Sequence, residues 1–293
     1  MTFRSLARIL FLLATAALAF VGPSPASAEP MRVVSLGSSI TETVFALGLG
    51  DRLVAVDSTS QYPAEARNLP NVGYMRALSA EPILALAPDL ILADADAGPA
   101  PVLAQIREAG VPIAVVEKAT AVDQVPDKIR QVAATLGAAG TGEALADTLA
   151  PTVTRLAAAA RALPDKPRVL FLLGIGHGAP LAAGTGTAAA GIIAAAGGIN
   201  AIDGYVGYKP VSPEAAVAAA PDVVLVTTRT ADLLGGTEKI LARPDVRPTP
   251  AGRAGRLVVM DALLLLGFGP RVDTAVATLA HALHPAADLP GTR

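Results

Sequence analysis

The stretch "VGYMRALSAEPILALAPDLILA" at residues 72–93 has a second copy in the same chain, "VGYKPVSPEAAVAAAPDVVLV" at residues 206–226. Each copy begins with a tyrosine near a cation, continues into a Ser-x-Glu helix start, and ends in a Pro-Asp turn before an apolar run. The second copy is one residue shorter between the tyrosine and the glutamate. Pro-Asp turns are common between helices and strands, but they do not explain a Val-Gly-Tyr at nearly the same distance upstream. The repeat therefore predicts two lobes of similar build.

The segments around the repeat alternate between strand and helix patterns. "RVVSL", "RLVAV", "LILA" and "PIAVV" are short apolar runs separated by helical sequence, and "RVLFLL", "DVVLV" and "LVVM" resume the alternation later in the chain. Short strands that are buried on both faces and separated by helices are typical of parallel sheets. The predicted fold class is α/β, with two Rossmann-like lobes of mainly parallel sheet at residues 29–121 and 165–293.

Residues 122–164 contain no strand-like run and are rich in alanine. They predict a helical connector with a helix from Thr141 to Ala162, about 33 Å long. Thr141 is a candidate N-cap residue for this helix. A helix of this length would join the lobes rigidly, whereas a Gly/Ser linker would not.

The first 28 residues have the pattern of a secretory signal peptide. Arg4 and Arg8 come before or beside the apolar run "ILFLLATAALAFV", and "PASA" ending at Ala28 is a small-residue cleavage site. The chain has no cysteine and a formal net charge of −2 with mixed charges. These features predict export to the periplasm without a lipid anchor, and they argue against a nucleic-acid partner.

Tyr74 is the first candidate binding residue. It follows Gly73, which permits unusual backbone angles, and it lies outside any periodic apolar face. A phenolate is a hard oxygen donor that suits Fe(III), and tyrosine is a known axial ligand of haem iron. Arg76 could stabilise the ionised phenol or pair with a ligand carboxylate. The alternative is a tyrosine that covers a core edge with its hydroxyl in water.

Glu81 and Glu214 lie at matched positions of the two copies, each two residues after a serine. One interpretation is helix capping, with Ser79 and Ser212 as N-caps and the glutamates complementing the helix dipole. The other interpretation is that two matched carboxylates contact matched cations of a two-fold symmetric partner. The two interpretations are compatible.

His177 lies in "GIGHG", directly after the strand "RVLFLL", where ligands of open α/β sheets collect. It is a candidate second iron ligand. His281 and His284 form an H-x-x-H pair that no acidic residue accompanies, and this favours a surface or capping role for both. The glycines near His177 do not complete a G-x-G-x-x-G motif, and the chain shows no catalytic motif that we recognise.

The motifs "RVVSLGSSITETVFALGLGDRLVAVDSTSQYP", "VGYMRALSAE", "AAAGGINAIDGYVGYKPVSPEA" and "GRLVVMDALLLLGFGPR" resemble the haem-binding periplasmic proteins of bacterial haem ABC importers. The resemblance runs from about Arg32 to His284. It implies the class III periplasmic binding protein type of fold, with two lobes joined by a long rigid helix.

By position, the resemblance implies that Tyr74 ligates the iron and that Arg76 contacts a propionate or supports the phenolate. His177 falls in a loop where only some members of the family place a second axial ligand. The second-lobe residues expected to line the cleft are Tyr205, Tyr208 and Lys209.

The resemblance also implies the cargo and the partner. The ligand would be haem b with Fe(III), carried by a monomer without catalysis. Glu81 and Glu214 would dock onto the inner-membrane ABC permease dimer, which works with its ATPase. The alternatives are a ferric siderophore or cobalamin carrier of the same fold, and an exported α/β enzyme that uses the "GIGHG" loop.

Overall fold

The computed structural model describes residues 32–174 and 179–290. The strands are β1 (Val33–Leu36), β2 (Leu53–Val56), β3 (Leu90–Asp94), β4 (Ile113–Val116), β5 (Arg168–Leu173), β6 (Leu181–Ala183), β7 (Ile199–Asn200), β8 (Tyr208–Pro210), β9 (Val223–Thr227) and β10 (Leu257–Met260). The α-helices are α1 (Ser38–Ala46), α2 (Ala80–Leu84), α3 (Ala100–Glu108), α4 (Val125–Thr135), α5 (Ala139–Ala162), α6 (Ala188–Ala195), α7 (Pro213–Ala218), α8 (Thr228–Leu233), α9 (Thr237–Leu241), α10 (Pro250–Ala254), α11 (Ala262–Leu266) and α12 (Val272–Leu283). Short 3₁₀ turns lie at Gly50–Arg52, Ala64–Asn68 and Val122–Gln124.

The N-terminal lobe is built on a four-stranded parallel sheet in the order β2-β1-β3-β4. Both faces of the sheet are covered, since Val33 and Leu92 belong to one apolar cluster and Val34 and Ile91 to another. The central strands β1 and β3 are fully or almost fully buried, which explains why they are continuous apolar runs.

The C-terminal lobe has a mixed sheet in the order β10-β9-β5-β6-β8, with β7 also pairing with β5. β7, β9 and β10 run parallel to their neighbours, whereas β6 and β8 are antiparallel. The α/β class with two mainly parallel sheets is therefore confirmed. The antiparallel edge is an addition that the sequence pattern did not predict.

The Pro-Asp ends of the repeat have the same role in both lobes. The Asp89 carboxylate accepts a hydrogen bond from the backbone N–H of Arg32 at 3.1 Å, just before β1. The Asp222 carboxylate accepts the equivalent bond from the N–H of Arg168 at 2.8 Å, at the start of β5. Each aspartate therefore joins the start of its strand to the first strand of the same lobe, which supports the predicted pseudo-symmetry.

Two helices, α4 and α5, connect the lobes. The apolar side of α4 packs on the N-terminal sheet through Val132 and Leu136, whereas α5 packs on the C-terminal core through Val153 and Leu156. α5 has 24 residues and is therefore about 36 Å long. It begins two residues before Thr141 and has no side-chain cap, so the predicted Thr141 cap is wrong. The domain boundaries given above stay a prediction.

No helix within residues 32–174 and 179–290 has the length and apolar character needed to cross a membrane.

An ion pair joins α1 of the N-terminal lobe to the start of α12. The Arg271 guanidinium donates to both carboxylate oxygens of Glu42 at 3.0 and 2.9 Å, and its backbone N–H donates at 3.1 Å. Glu42 is buried, and the guanidinium also stacks on the Tyr62 ring at 3.4 Å from its centroid. The two lobes are thus bonded to each other directly as well as through α4 and α5.

We predict that Arg271→Ala lowers the free energy of unfolding by about 3 kcal/mol, because it removes the cation paired with the buried Glu42 carboxylate and leaves the backbone N–H of residue 271 as its donor there. Urea denaturation measures the loss. The matched control is Arg130→Ala, which removes a partly exposed arginine bonded to the exposed carboxylates of Asp127, Glu143 and Asp147 and should change stability little. Equal losses in the two variants would contradict the assigned role of the pair.

Candidate functional site

Tyr74 projects from the loop that follows β2. The backbone N–H of Val72 bonds to the Val56 carbonyl at 3.0 Å, and the Gly73 carbonyl accepts from Ser58 N–H at 2.8 Å. Gly73 has a φ of +97°, a conformation that a residue with a Cβ rarely adopts. This turn directs Val72 into the core, where it is 6% exposed, and leaves Tyr74 43% exposed.

The phenol oxygen of Tyr74 lies within a group of charged side chains. Arg76 donates through Nη1 to Tyr74 Oη at 2.7 Å and through Nη2 to Asp96 Oδ2 at 2.8 Å. Lys118 Nζ donates to the same Asp96 oxygen at 2.8 Å. We call these four residues the Tyr74 cluster. It places two cations and one carboxylate around an exposed phenol.

Arg76 and Asp96 of the Tyr74 cluster stabilise each other's ionised forms. Hydrogen bonds from Lys118 and then Arg76 lower the pKa of Asp96, so it stays ionised. Burial by itself would lower the pKa of Arg76, but its hydrogen bonds to Asp96 and Tyr74 raise it overall. The phenol oxygen therefore has a permanent cation beside it.

Strand order explains how the Tyr74 cluster is assembled. Asp96 lies just after β3 and Lys118 just after β4, and these strands are parallel neighbours. The carboxyl ends of parallel strands meet at one edge of the sheet, where ligands of open α/β sheets bind. Our sequence interpretation identified Tyr74 and Arg76 and missed Asp96 and Lys118. Each of these two residues follows a short apolar run, so the sequence contains a pattern from which they could have been identified.

The second copy of Val-Gly-Tyr has the opposite orientation. Gly207 also has a positive φ, +83°, but here Val206 is 73% exposed and Tyr208 is partly buried. Tyr208 lies in β8, not in the loop that the repeat predicts, and packs edge-on against Phe171 with ring centroids 6.2 Å apart. The first lobe thus exposes a phenol where the second exposes an isopropyl group.

The hydroxyl of Tyr208 lies at the start of α6. Burial raises the pKa of Tyr208. Hydrogen bonds with the Ala189 backbone and the Thr187 side chain oppose this effect, because each of them lowers the pKa. Lys118 and Arg76 also lower this pKa through their charges. Tyr208 is thus a partly buried phenol of raised pKa, whereas Tyr74 is an exposed phenol beside cations.

Tyr205 and Lys209 flank Tyr208. The Tyr205 hydroxyl donates to the Ala182 carbonyl at 3.0 Å, and burial raises the pKa of this phenol. The ammonium group of Lys209 lies 5.1 Å from the centroid of the Tyr205 ring. Tyr205 is thus bonded into the β6–β8 edge, whereas Lys209 is exposed as a cation at the same edge.

A further cation lies buried between α1 and α4. Lys128 Nζ donates to Ser39 Oγ at 2.6 Å. Burial lowers the pKa of Lys128, although the nearby carboxylates of Asp94 and Glu42 raise it. This residue was also missed by sequence reasoning, because a lysine in an amphipathic helix ordinarily reads as solvent-exposed. It joins the connector helix α4 to the lobe beside the site.

Glu81 and Glu214 occupy the first turns of α2 and α7, and both are exposed. The Ser212 cap is confirmed, since its Oγ accepts from Ala215 N–H at 3.2 Å. Ser79 occupies the predicted N-cap position of α2, but its side chain makes no cap bond. Hydrogen bonds from its own backbone N–H and from Ser212 lower the pKa of Glu214.

The histidines do not form a metal site in the part of the chain that the structure describes. His281 is exposed on α12 and His284 is buried at its end. Residues 32–174 and 179–290 contain no group of three or more His, Asp or Glu side chains arranged to hold a metal ion. His177 lies outside the described residues.

Comparison with known proteins identifies relatives along most of the chain. The family model described as "Periplasmic binding protein" matches residues 33–264. The "Cobalamin-binding protein" of Halobacterium salinarum is 34% identical over 268 residues, which cover 87% of this chain and 70% of that protein.

Two solved structures are also similar. The periplasmic heme-binding protein RhuT from Roseiflexus sp. RS-1, in apo form, has a TM-score of 0.84 and 45% identity, covering 88% of this chain and 99% of that chain. The periplasmic heme-binding protein BhuT, in complex with two hemes, has a TM-score of 0.81 and 44% identity, covering 87% of this chain and 98% of that chain. At this identity and coverage the two-lobed class III fold is shared.

The contrast between the tyrosines gives a stability prediction. Tyr208→Phe should lower the free energy of unfolding by about 1 kcal/mol, because it removes hydrogen bonds of a partly buried hydroxyl. Tyr74→Phe should leave stability nearly unchanged, because within residues 32–174 and 179–290 its exposed hydroxyl bonds to Arg76 alone, and water can replace that bond. Urea denaturation of the two variants tests this. A larger loss for Tyr74→Phe would show that Tyr74 has a structural role.

Proposed function

This chain belongs to the periplasmic binding protein family, and we propose that it is a periplasmic carrier that binds haem between its two lobes. In this proposal the Tyr74 phenolate ligates the iron. The observation that carries it is the exposed Tyr74 phenol with the Arg76 guanidinium 2.7 Å from its oxygen. The heme-binding proteins RhuT and BhuT support haem as the ligand, since they share the fold at 45% and 44% identity.

The chemistry of the donor suits the cargo. A phenolate is a hard anionic donor that Fe(III) prefers, and Arg76 stabilises the anionic oxygen by a charge-assisted hydrogen bond. The porphyrin supplies four nitrogen ligands, so one protein donor is enough to hold the iron. A lone exposed phenol is therefore a sufficient haem site, although it would be a poor site for a free metal ion.

The surroundings of Tyr74 suit the rest of the haem b molecule. Its two propionates require cations, and Arg76, Lys118 and Lys209 are exposed at the facing edges of the lobes. Lys118 uses one of its three donors on Asp96 and retains the others for a carboxylate. Val206 offers an exposed apolar side chain for the porphyrin face.

His177 as a second axial ligand stays a prediction from the sequence. It follows β5 in the chain, and the carboxyl end of β5 belongs to the edge of the sheet where a ligand would bind. His177→Ala should change the spin state of bound ferric haem if the imidazole ligates the iron.

The proposal extends to delivery. We infer that Glu81 and Glu214 contact cations of an inner-membrane ABC permease dimer, which works with its ATPase. Both carboxylates are exposed in first helical turns at matched positions of the two lobes. A two-fold symmetric permease would meet a pseudo-two-fold carrier through such a matched pair. Capping alone does not require that both be glutamates at matched positions.

The second candidate is a cobalamin carrier. The observation that favours it is the cobalamin-binding relative, which is 34% identical over most of this chain. A corrinoid already carries its own axial ligand, so it has no need of a phenolate beside an arginine. Titration with hemin (ferric haem) and with cyanocobalamin separates the two candidates, and binding of cyanocobalamin alone would favour the second.

We predict that hemin binding produces a phenolate-to-iron charge-transfer band in the absorption spectrum. Tyr74→Phe should remove this band and weaken hemin binding by at least about tenfold, because the iron loses its protein ligand. Tyr208→Phe is the matched control and should keep the band, because Tyr208 is a neutral phenol bonded at the start of α6. An unchanged band in Tyr74→Phe would show that another group ligates the iron.

The docking proposal predicts that the double variant Glu81→Lys, Glu214→Lys binds hemin normally but no longer stimulates the ATPase of the permease in proteoliposomes. Charge reversal at an interface costs affinity through repulsion of like charges. Glu238→Lys is the matched control, since Glu238 is also an exposed glutamate in a first helical turn, that of α9. Equal loss of stimulation in the control would contradict a specific role for the matched pair.

A further inference from the structure

Within the described residues Asp96 makes no hydrogen bond to the phenol oxygen, yet it bonds both cations of the Tyr74 cluster. Its Oδ2 atom accepts from Arg76 Nη2 and from Lys118 Nζ, each at 2.8 Å. Its side chain is one third exposed, less than those of Arg76 and Lys118, which are about half exposed. The carboxylate between the two cations is thus the least exposed of the three side chains.

The backbone explains why Asp96 is fixed in place. It lies two residues after Asp94, the last residue of β3, and its N–H donates to Asp94 Oδ1 at 2.9 Å. β3 is an interior strand of the N-terminal sheet, paired on both sides. A carboxylate at this position has the rigid support that a side chain on the preceding loop lacks.

Arg76 needs such support. Its guanidinium divides its donors between two partners, with Nη1 on Tyr74 and Nη2 on Asp96. A half-exposed arginine loses side-chain entropy when it is held in one rotamer. The guanidinium is planar and rigid, so a hydrogen bond from Nη2 also fixes the direction in which Nη1 points. Without Asp96, Arg76 and Lys118 would also repel each other.

We propose that Asp96 is a positioning residue for haem binding, which holds the Arg76 guanidinium against the Tyr74 oxygen. This inference rests on the proposed function. The direction in which haem affinity changes when Asp96 is removed distinguishes a positioning role from simple charge repulsion. As a charge alone, Asp96 would repel the propionates and the phenolate, so its removal would strengthen haem binding. As a positioning residue, its removal weakens binding.

A double-mutant cycle with hemin as the ligand tests the proposal. Asp96→Ala should weaken hemin binding about tenfold, the effect of losing a charged hydrogen bond, and should shift the phenolate-to-iron charge-transfer band in the same direction as Arg76→Ala. In the Arg76→Ala background, Asp96→Ala should weaken binding no further. Asp96→Asn keeps the shape with a weaker acceptor and should have a smaller effect of the same sign.

Asp127→Ala is the matched control, because it removes an aspartate that bonds Arg130 at 3.0 Å outside the Tyr74 cluster. It should leave hemin affinity and the band unchanged. Unchanged or stronger hemin binding by Asp96→Ala overturns the proposal. A further loss in the Arg76→Ala background also overturns it, because Asp96 would then act independently of Arg76. A wild-type protein that shows no phenolate band instead refutes the proposed function itself, and the two failures are therefore distinct.

Discussion

The hydrogen bond from Arg76 to the Tyr74 oxygen is the interaction on which the interpretation of this structure depends. A phenolate bound to a metal ion is stabilised by a charge-assisted hydrogen bond from an adjacent guanidinium. The fold supplies this arrangement at the carboxyl edge of a parallel sheet. Gly73 turns the phenol outward, and the ends of β3 and β4 supply the charges that hold Arg76. The binding chemistry is thus a consequence of strand order.

The two lobes contain the same sequence repeat but expose different side chains from it. In both copies a glycine with positive φ follows a valine, yet the first copy buries the valine and the second exposes it. The difference follows from the C-terminal sheet, where the antiparallel pair β6–β8 brings the Tyr208 ring against Phe171. One lobe therefore offers an ionisable oxygen with cations and the other an apolar side chain beside Lys209. The haem proposed as the ligand has a metal centre, apolar faces and acidic edges, and each of these features has a matching group on one of the two lobes.

Much of this could be predicted from the sequence because the relevant signals are local. The alternation of apolar runs gave the α/β class, and the repeat pointed to Tyr74 and Arg76. Asp96 and Lys118 could not be paired without knowing that β3 and β4 are neighbours. The Glu42–Arg271 pair joins residues 229 positions apart, beyond the reach of any local pattern. The cap predicted at Thr141 fails because α5 begins two residues earlier, and capping propensity does not by itself set where a helix begins. Ser79 does occupy the N-cap position of α2, but its side chain makes no cap bond. His177 lies outside the described residues and stays a prediction.

The most direct test of the central claim is a crystal structure of the protein with haem bound. The account predicts a single phenolate oxygen, that of Tyr74, on the iron, with Arg76 still bonded to it and the porphyrin between the lobes. A haem bound within one lobe, or an iron whose protein ligand is any residue other than Tyr74 on that face, would contradict it.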